Sequence, residues 1–105
     1  MNLLLDECVT NYLKADLLEH NVSTIDDAGF KGLKNGKLLE AASVSFDVFV
    51  TVDQNLQFQQ NLKNFDIAIL VLKARRSAYP FLKPLISAAL KALSNIKAGE
   101  IIVIE

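Results

Sequence analysis

The sequence lacks several features, and each absence excludes a class of protein. It has one cysteine, Cys8, which excludes an intramolecular disulfide and a multi-cysteine zinc site. It has no excess of one charge, since 11 Lys and Arg face 12 Asp and Glu. No general positive field is therefore available to hold nucleic acid, and any such contact must be local. The first apolar run, Leu3–Leu5, is too short for a signal peptide or a membrane span. We expect a cytoplasmic protein that does not enter the membrane.

Apolar residues are abundant. Hydrophobic residues make up 51% of the 105-residue chain and charged residues 22%, which is enough apolar material for a real core. A chain of this length has room for one such core. We therefore expect residues 1–105 to form a single domain.

Short apolar runs alternate with longer segments of helical periodicity, which is typical of a parallel sheet built from βα units. We predict an α/β fold with about five strands. The third and fourth strands are rich in β-branched residues and are expected at the centre of the sheet. The predicted strands are Asn2–Leu5, Val22–Ile25, Asp47–Val52, Ile67–Leu72 and Glu100–Ile104.

Helical spacing predicts helices over Val9–Glu19, Gly36–Val44 and Pro80–Ile96, and Asn55–Leu62 is expected to be an exposed helix or an irregular turn. Leu18 is expected on the buried face of the first helix, and Asn35 is expected to cap the second. Pro84 fits the last helix only in its first turn or at a restart.

Acidic residues follow the first three predicted strands. Asp6 and Glu7 follow the first strand, Asp26 and Asp27 the second, and Asp53 the third. Ligands bind beyond the carboxyl ends of the strands in an open parallel sheet. If the strand order is 2-1-3-4-5, Asp6 and Asp53 are neighbours at the crevice, where a cation such as Mg²⁺ would relieve their repulsion. The alternative is that each Asp caps a helix, because strand-to-helix junctions favour such caps.

Other residues fit either a site or an ordinary surface. Glu40 can point from its short helix toward the crevice or face solvent. The basic residues Lys73, Arg75 and Arg76 follow the fourth strand and can hold a phosphate backbone or form a solvated loop. Cys8 is interpreted as a small packing residue. The loop Ala28–Gly36 holds three of the four glycines. Its glycines have neither the Walker nor the dinucleotide spacing, which excludes phosphate-loop chemistry.

Several segments resemble a known family. The segments LLDECV, H-x-V-x-T-I-x-D-x-G and FDVFVTVDQNL, together with GLKNGKLLEAA, resemble the small bacterial PIN-like domains, relatives of the toxin-type PIN ribonucleases. The resemblance covers nearly the whole chain. It implies a three-layer α/β/α fold whose acidic cluster binds Mg²⁺ or Mn²⁺ and hydrolyses RNA.

The resemblance also implies roles for individual residues. Asp6 and Asp53 would be metal ligands, and Glu7 or Glu40 would hold waters of the outer shell. Asn35 and Asn55 stand where many relatives carry acidic residues. An amide contributes no charge, which lowers the expected metal affinity and makes a strict two-metal site doubtful. We assign to substrate binding Thr51, Asn35, Asn55, Lys73, Arg75 and Arg76.

These observations give two hypotheses of function. The first is a metal-dependent endoribonuclease that acts as the toxin of a toxin–antitoxin pair, with an antitoxin protein as its partner. The second is a weak or inactive PIN-like module that binds RNA or a protein. In either case we expect a homodimer, because a small domain leaves part of its apolar helix surface uncovered.

Overall fold

The fold is a five-stranded, all-parallel sheet, seen in a computed structural model that describes residues 1–55 and 64–105. The strand order is β2-β1-β3-β4-β5, which is the order that makes β1 and β3 neighbours. Each strand lies within one residue of its predicted bounds. The strands are β1 (Asn2–Leu5), β2 (Asn21–Thr24), β3 (Val48–Thr51), β4 (Ala68–Leu72) and β5 (Ile101–Ile104).

Short helices connect the strands. In the described ranges they are α1 (Leu13–Asp16), α2 (Ile25–Ala28), α3 (Asn35–Ser45), α4 (Tyr79–Leu82) and α5 (Ile86–Leu93), with a 3₁₀ turn at Lys83–Leu85. The predicted segment Asn55–Leu62 lies, beyond Asn55 itself, outside the described residues.

The strands bury alternate side chains against two separate helix layers. Leu3 and Leu5 of β1 pack in one core with residues of α1, α4 and α5. Leu4 packs on the opposite face, in a second core with residues of α2 and α3. Every residue of β3 and β4 is buried, as expected for central strands covered on both faces. The α/β class with helices on both sides of a parallel sheet is therefore confirmed.

The first predicted helix is much shorter than Val9–Glu19. Only Leu13–Asp16 is helical, and Leu13 is bonded to the carbonyl of Thr10 three residues earlier, as in a turn. The β-branched and amide residues at 9–11 are poor helix formers, which explains the late start. Leu18 lies beyond the helix and is 81% exposed, so its predicted burial was wrong.

Two other helix predictions need correction. Asn35 is the first residue of α3 and not its cap, since the helix begins one residue earlier than predicted and Lys34 takes the N-cap position. The last helix is interrupted, because Pro84 has no N–H to continue the helical bonding. A 3₁₀ turn fills the gap before α5, which agrees with the predicted restart.

Candidate functional site

The carboxyl ends of β1 and β3 meet at the point where the strand order reverses. β2 lies on one side of β1, and β4 lies beyond β3 on the other. The N–H of Asp6 bonds to the carbonyl of Val50 at 2.9 Å, which extends the pairing of the two strands by one residue. A crevice at such a reversal is the usual ligand site of an open parallel sheet.

Asp6 is held by bonds to both of its carboxylate oxygens. Oδ1 accepts from the N–H of Glu7 at 2.8 Å, and Oδ2 accepts from the hydroxyl of Thr51 at 2.7 Å. The Cys8 thiol also lies 3.4 Å from Oδ2. Oδ2 thus accepts from two donors and Oδ1 from one, so these bonds orient Asp6 and leave an acceptor position on Oδ1 for a cation.

Thr51 connects the two acids. Its side chain is fully buried at 0% exposure, and its hydroxyl donates to Asp6 while accepting from the N–H of Asp53 at 3.0 Å. The hydroxyl of this last β3 residue therefore fixes the Asp6 carboxylate and the backbone at Asp53 together. A buried hydroxyl is satisfied by such a pair of bonds, and substrate has no direct access to it.

Asp53 is exposed and makes a local turn. Its Oδ1 accepts from the N–H of Asn55 at 3.0 Å. Within residues 1–55 and 64–105, Oδ2 accepts no hydrogen bond from a protein group. The chain thus directs one oxygen of this carboxylate through the turn that follows β3.

A cavity of about 420 Å³ lies beside the two acids. Its lining contains charges of both signs. The acids Asp6, Glu7 and Asp53 come from the strand ends, and the lysines Lys31 and Lys34 come from the loop before α3. Its remaining lining is mainly apolar and belongs to the core beneath α2 and α3. These apolar residues are Ile25, Leu33, Leu38, Leu39 and Phe49.

A second cavity of about 330 Å³ adjoins the first through shared residues. Asp6, Glu7 and Lys31 line both cavities, and the second extends to Thr24 and Asp26 after β2. Together they follow the carboxyl edge of the sheet from β3 across β1 to β2. Asp6 therefore lies near the middle of a continuous recess.

The acids after β2 are divided between two roles. Asp27 forms a capping box with Thr24, in which each side chain accepts from the other's backbone N–H at 3.1 Å. Asp27 also pairs with Lys14, and these bonds lower its pKa to about 2. Asp26 is exposed and lines the second cavity. Capping thus explains Asp27, which agrees with the alternative weighed from the sequence.

Other predicted site residues lie apart from the crevice lining. Glu40 is exposed on α3 and is not among the residues that line either cavity. Lys73 follows β4 and pairs with Glu105 at 3.2 Å, while Arg76 lies over the ring of Phe81 at 5.9 Å.

Arg75 is exposed in the loop after β4, and Asn35 begins α3 beside the cavity-lining Lys34. The backbone N–H of Asn55 donates to the side-chain Oδ1 of Asp53, which places Asn55 next to the site.

The donor set suits a hydrated hard cation. Mg²⁺ binds proteins through one or two carboxylates and keeps several waters, which fits the oxygens of Asp6 and Asp53. Within the described part of the chain, no group of three or more His, Cys, Asp or Glu side chains is arranged to hold a metal.

Cys8 occupies a different position from the expected one. It is exposed beside Asp6, and partial burial of the thiol together with the Asp6 charge raises its pKa. A raised pKa keeps the thiol protonated and able to donate to the carboxylate. Its interpretation as a small packing residue was therefore wrong, because the side chain is exposed and bonded to Asp6.

Sequence reasoning missed Lys31 and Lys34. Their loop was noted for its glycines, and Gly32 adopts a positive φ of 90° between them. The pattern of two lysines around a glycine before a helix could have indicated a functional loop from the sequence alone. Only the folded chain shows that this loop lies opposite the acids.

Comparisons with known proteins identify no relative. No family model, curated protein or solved structure matches the chain. Among the helices of the described residues, none has the length and apolar character needed to cross a bilayer.

Proposed function

We propose that this protein is a metal-dependent ribonuclease that hydrolyses phosphodiester bonds in single-stranded RNA. The observation that carries the proposal is the joint placement of Asp6 and Asp53 by the buried Thr51 hydroxyl at the strand-order reversal. The resemblance of the strand-end motifs to PIN-like domains supports the same chemistry. As a toxin of this class, the protein would act in the cytoplasm and be restrained by an antitoxin.

Each side chain has a role in this proposal. Asp6 and Asp53 hold a hydrated Mg²⁺ or Mn²⁺ through carboxylate oxygens. When bound, the ion polarises the phosphoryl oxygens and lowers the pKa of bound water. The exposed carboxylate of Glu7 orients the attacking water and accepts its proton.

Positive charge is needed on the other side of the crevice, because the acids alone repel phosphate. Lys31 and Lys34 line the same cavity and neutralise the anionic backbone of the substrate. The basic residues after β4 stand at the same edge of the sheet but outside this cavity, and they are proposed to contact the RNA backbone farther from the scissile bond. Glu40, being outside the cavity lining, is proposed to act at most on outer waters.

The test is cleavage of a labelled single-stranded RNA with Mg²⁺ or Mn²⁺ and with a chelator. Asp6→Asn or Asp53→Asn should lower the rate roughly 100-fold or more, since each removes a charge that holds the ion. Asp27→Asn is the matched control, because its carboxylate belongs to a helix cap. Wild-type rates in either site variant would refute the assignment.

The second candidate is a PIN-like module that binds RNA or a protein without turnover. It is favoured by the finding that no three metal-ligating side chains converge within the described residues. If wild type is stabilised by the cation but cleaves nothing, this candidate replaces the ribonuclease.

A further inference from the structure

The cavity beside Asp6 and Asp53 has both charged and apolar lining residues. A metal ion at the two carboxylates would occupy only a small part of it. A hydrated cation needs only the carboxylates, yet the cavity extends over apolar side chains that include Leu33, Leu38 and Phe49. These residues belong to the core under α3 or pack against it. A molecule that fills the cavity would therefore meet apolar side chains, Leu33 foremost because it is partly exposed, as well as charged groups.

The charges on the rim specify the charged end. Lys31 and Lys34 stand on the loop before α3, and Asp6 and Asp53 stand at the strand ends. An anion near the lysines and a cation at the carboxylates would both be satisfied. A nucleotide supplies the anion through its phosphate and the apolar body through its flat base, while the cation at the carboxylates is the metal ion of the proposed function.

Size also fits this occupant. A volume of about 420 Å³ lies within the range of pockets that bury small molecules. A base can enter such a cavity only when it is unpaired and unstacked, which a single strand allows and a duplex does not.

We propose that this cavity binds the base of a nucleotide next to the scissile phosphate of single-stranded RNA. The proposal rests on the ribonuclease function, whose substrate contact it specifies. Leu33 lies in the apolar lining and is partly exposed, so it is the residue that decides how much room the base has. Lys31, which lines both cavities, holds the adjoining phosphate.

Binding can be measured without cleavage in the Asp53→Asn protein with chelator present. The probes are a fluorescent single-stranded RNA of about six nucleotides and the same RNA with its bases removed. Removal of the bases should weaken binding about tenfold, as expected for a buried base contact. Equal affinity for the two probes, or no binding of either, would overturn the proposal.

Leu33→Trp in the same background fills the cavity. It should weaken binding of the intact RNA about tenfold and abolish the difference between the two probes. Leu33→Met keeps the volume and should preserve that difference. The proposal fails if Leu33→Trp discriminates as its parent does, and the two-probe comparison still decides if that variant does not fold.

The lysines provide an independent comparison. Lys31→Ala and Lys34→Ala should weaken both probes equally, because they contact phosphate. Lys37→Ala is the matched control, since Lys37 is exposed on α3 and is not part of the cavity lining. Equal losses in Lys37→Ala and Lys31→Ala would contradict the assigned phosphate contact.

Failure of the base site and failure of the ribonuclease assignment give different results. If wild type shows no metal-dependent cleavage but the probes behave as expected, the base site stands and the ribonuclease assignment falls. If cleavage depends on metal but the probes bind equally, the ribonuclease stands and the base site falls.

Discussion

The acids after β2 and those after β1 and β3 look alike in the sequence but differ in the folded protein. Asp27 is bonded to the backbone of Thr24 and to Lys14. Asp6 and Asp53 are instead joined through Thr51 and face a cavity. α2 begins directly after β2, whereas β1 is followed by turns before α1, so Asp6 has no helix start to cap. Asp53 precedes a 3₁₀ turn and accepts the N–H of Asn55 through one oxygen, so it combines a cap-like bond with its place beside the cavity. A strand-end Asp caps only where a helix begins within a residue or two.

The largest effect on the free energy of unfolding should come from Thr51, whose hydroxyl is shared by the two acids. Thr51→Val keeps the shape but leaves the Asp6 carboxylate and the Asp53 N–H without their shared partner. We expect a loss of about 1–3 kcal/mol in the free energy of unfolding and a 10- to 100-fold lower cleavage rate, roughly as for other residues that orient metal ligands. Urea denaturation and the RNA assay measure the two effects.

Thr51→Ser is the control for this prediction. It retains the hydroxyl and should recover most of the cleavage rate, even if the lost methyl lowers stability. If Thr51→Ser cleaves no better than Thr51→Val, the hydroxyl does not position the acids and the methyl packing explains the defect.

β3 and β4 could be predicted because their buried runs, which contain β-branched residues, differ sharply from the flanking polar segments. The Thr24 and Asp27 capping pattern was present in the sequence but was assigned partly to a strand. The cavity could not be predicted, since it depends on how the loop carrying Lys31 comes to lie beside the residues that follow β1 and β3. The linking role of Thr51 likewise depends on the pairing of strands distant in sequence.

A smaller effect on stability is expected at Asp27, the acidic residue of the capping box of α2. The pKa of Asp27 falls from 3.8 to about 2 on folding, so its ionised form stabilises the folded state. That stability is complete above the unfolded pKa and is lost as the pH falls through the folded value. Asp27→Asn should therefore be less stable than wild type at neutral pH, and the gap should close between about pH 4 and pH 2.

Thermal unfolding of both proteins across this pH range measures the effect. Asp26→Asn is the matched control, because Asp26 is exposed and adjacent but makes no cap. A gap between Asp27→Asn and wild type that does not change with pH would show that the carboxylate charge is not what stabilises α2.

The smallest change in the free energy of unfolding is expected for Asp53→Asn in the absence of metal. Asp53→Asn relieves repulsion with Asp6 and keeps an oxygen to accept from Asn55. Because Asp53 is exposed, the gain in the free energy of unfolding should be below about 1 kcal/mol. Urea denaturation in chelator measures it, and a clear loss of stability would contradict the repulsion.

The most direct test of the contrast between the two acidic groups is the shift in unfolding temperature on adding Mg²⁺ or Mn²⁺. A ligand that binds only the folded state raises its stability by an amount set by its affinity. We predict equal upward shifts for wild type and Asp27→Asn, and little or no shift for Asp6→Asn and Asp53→Asn. Shifts of the same size in all four proteins would contradict a cation site at the ends of β1 and β3.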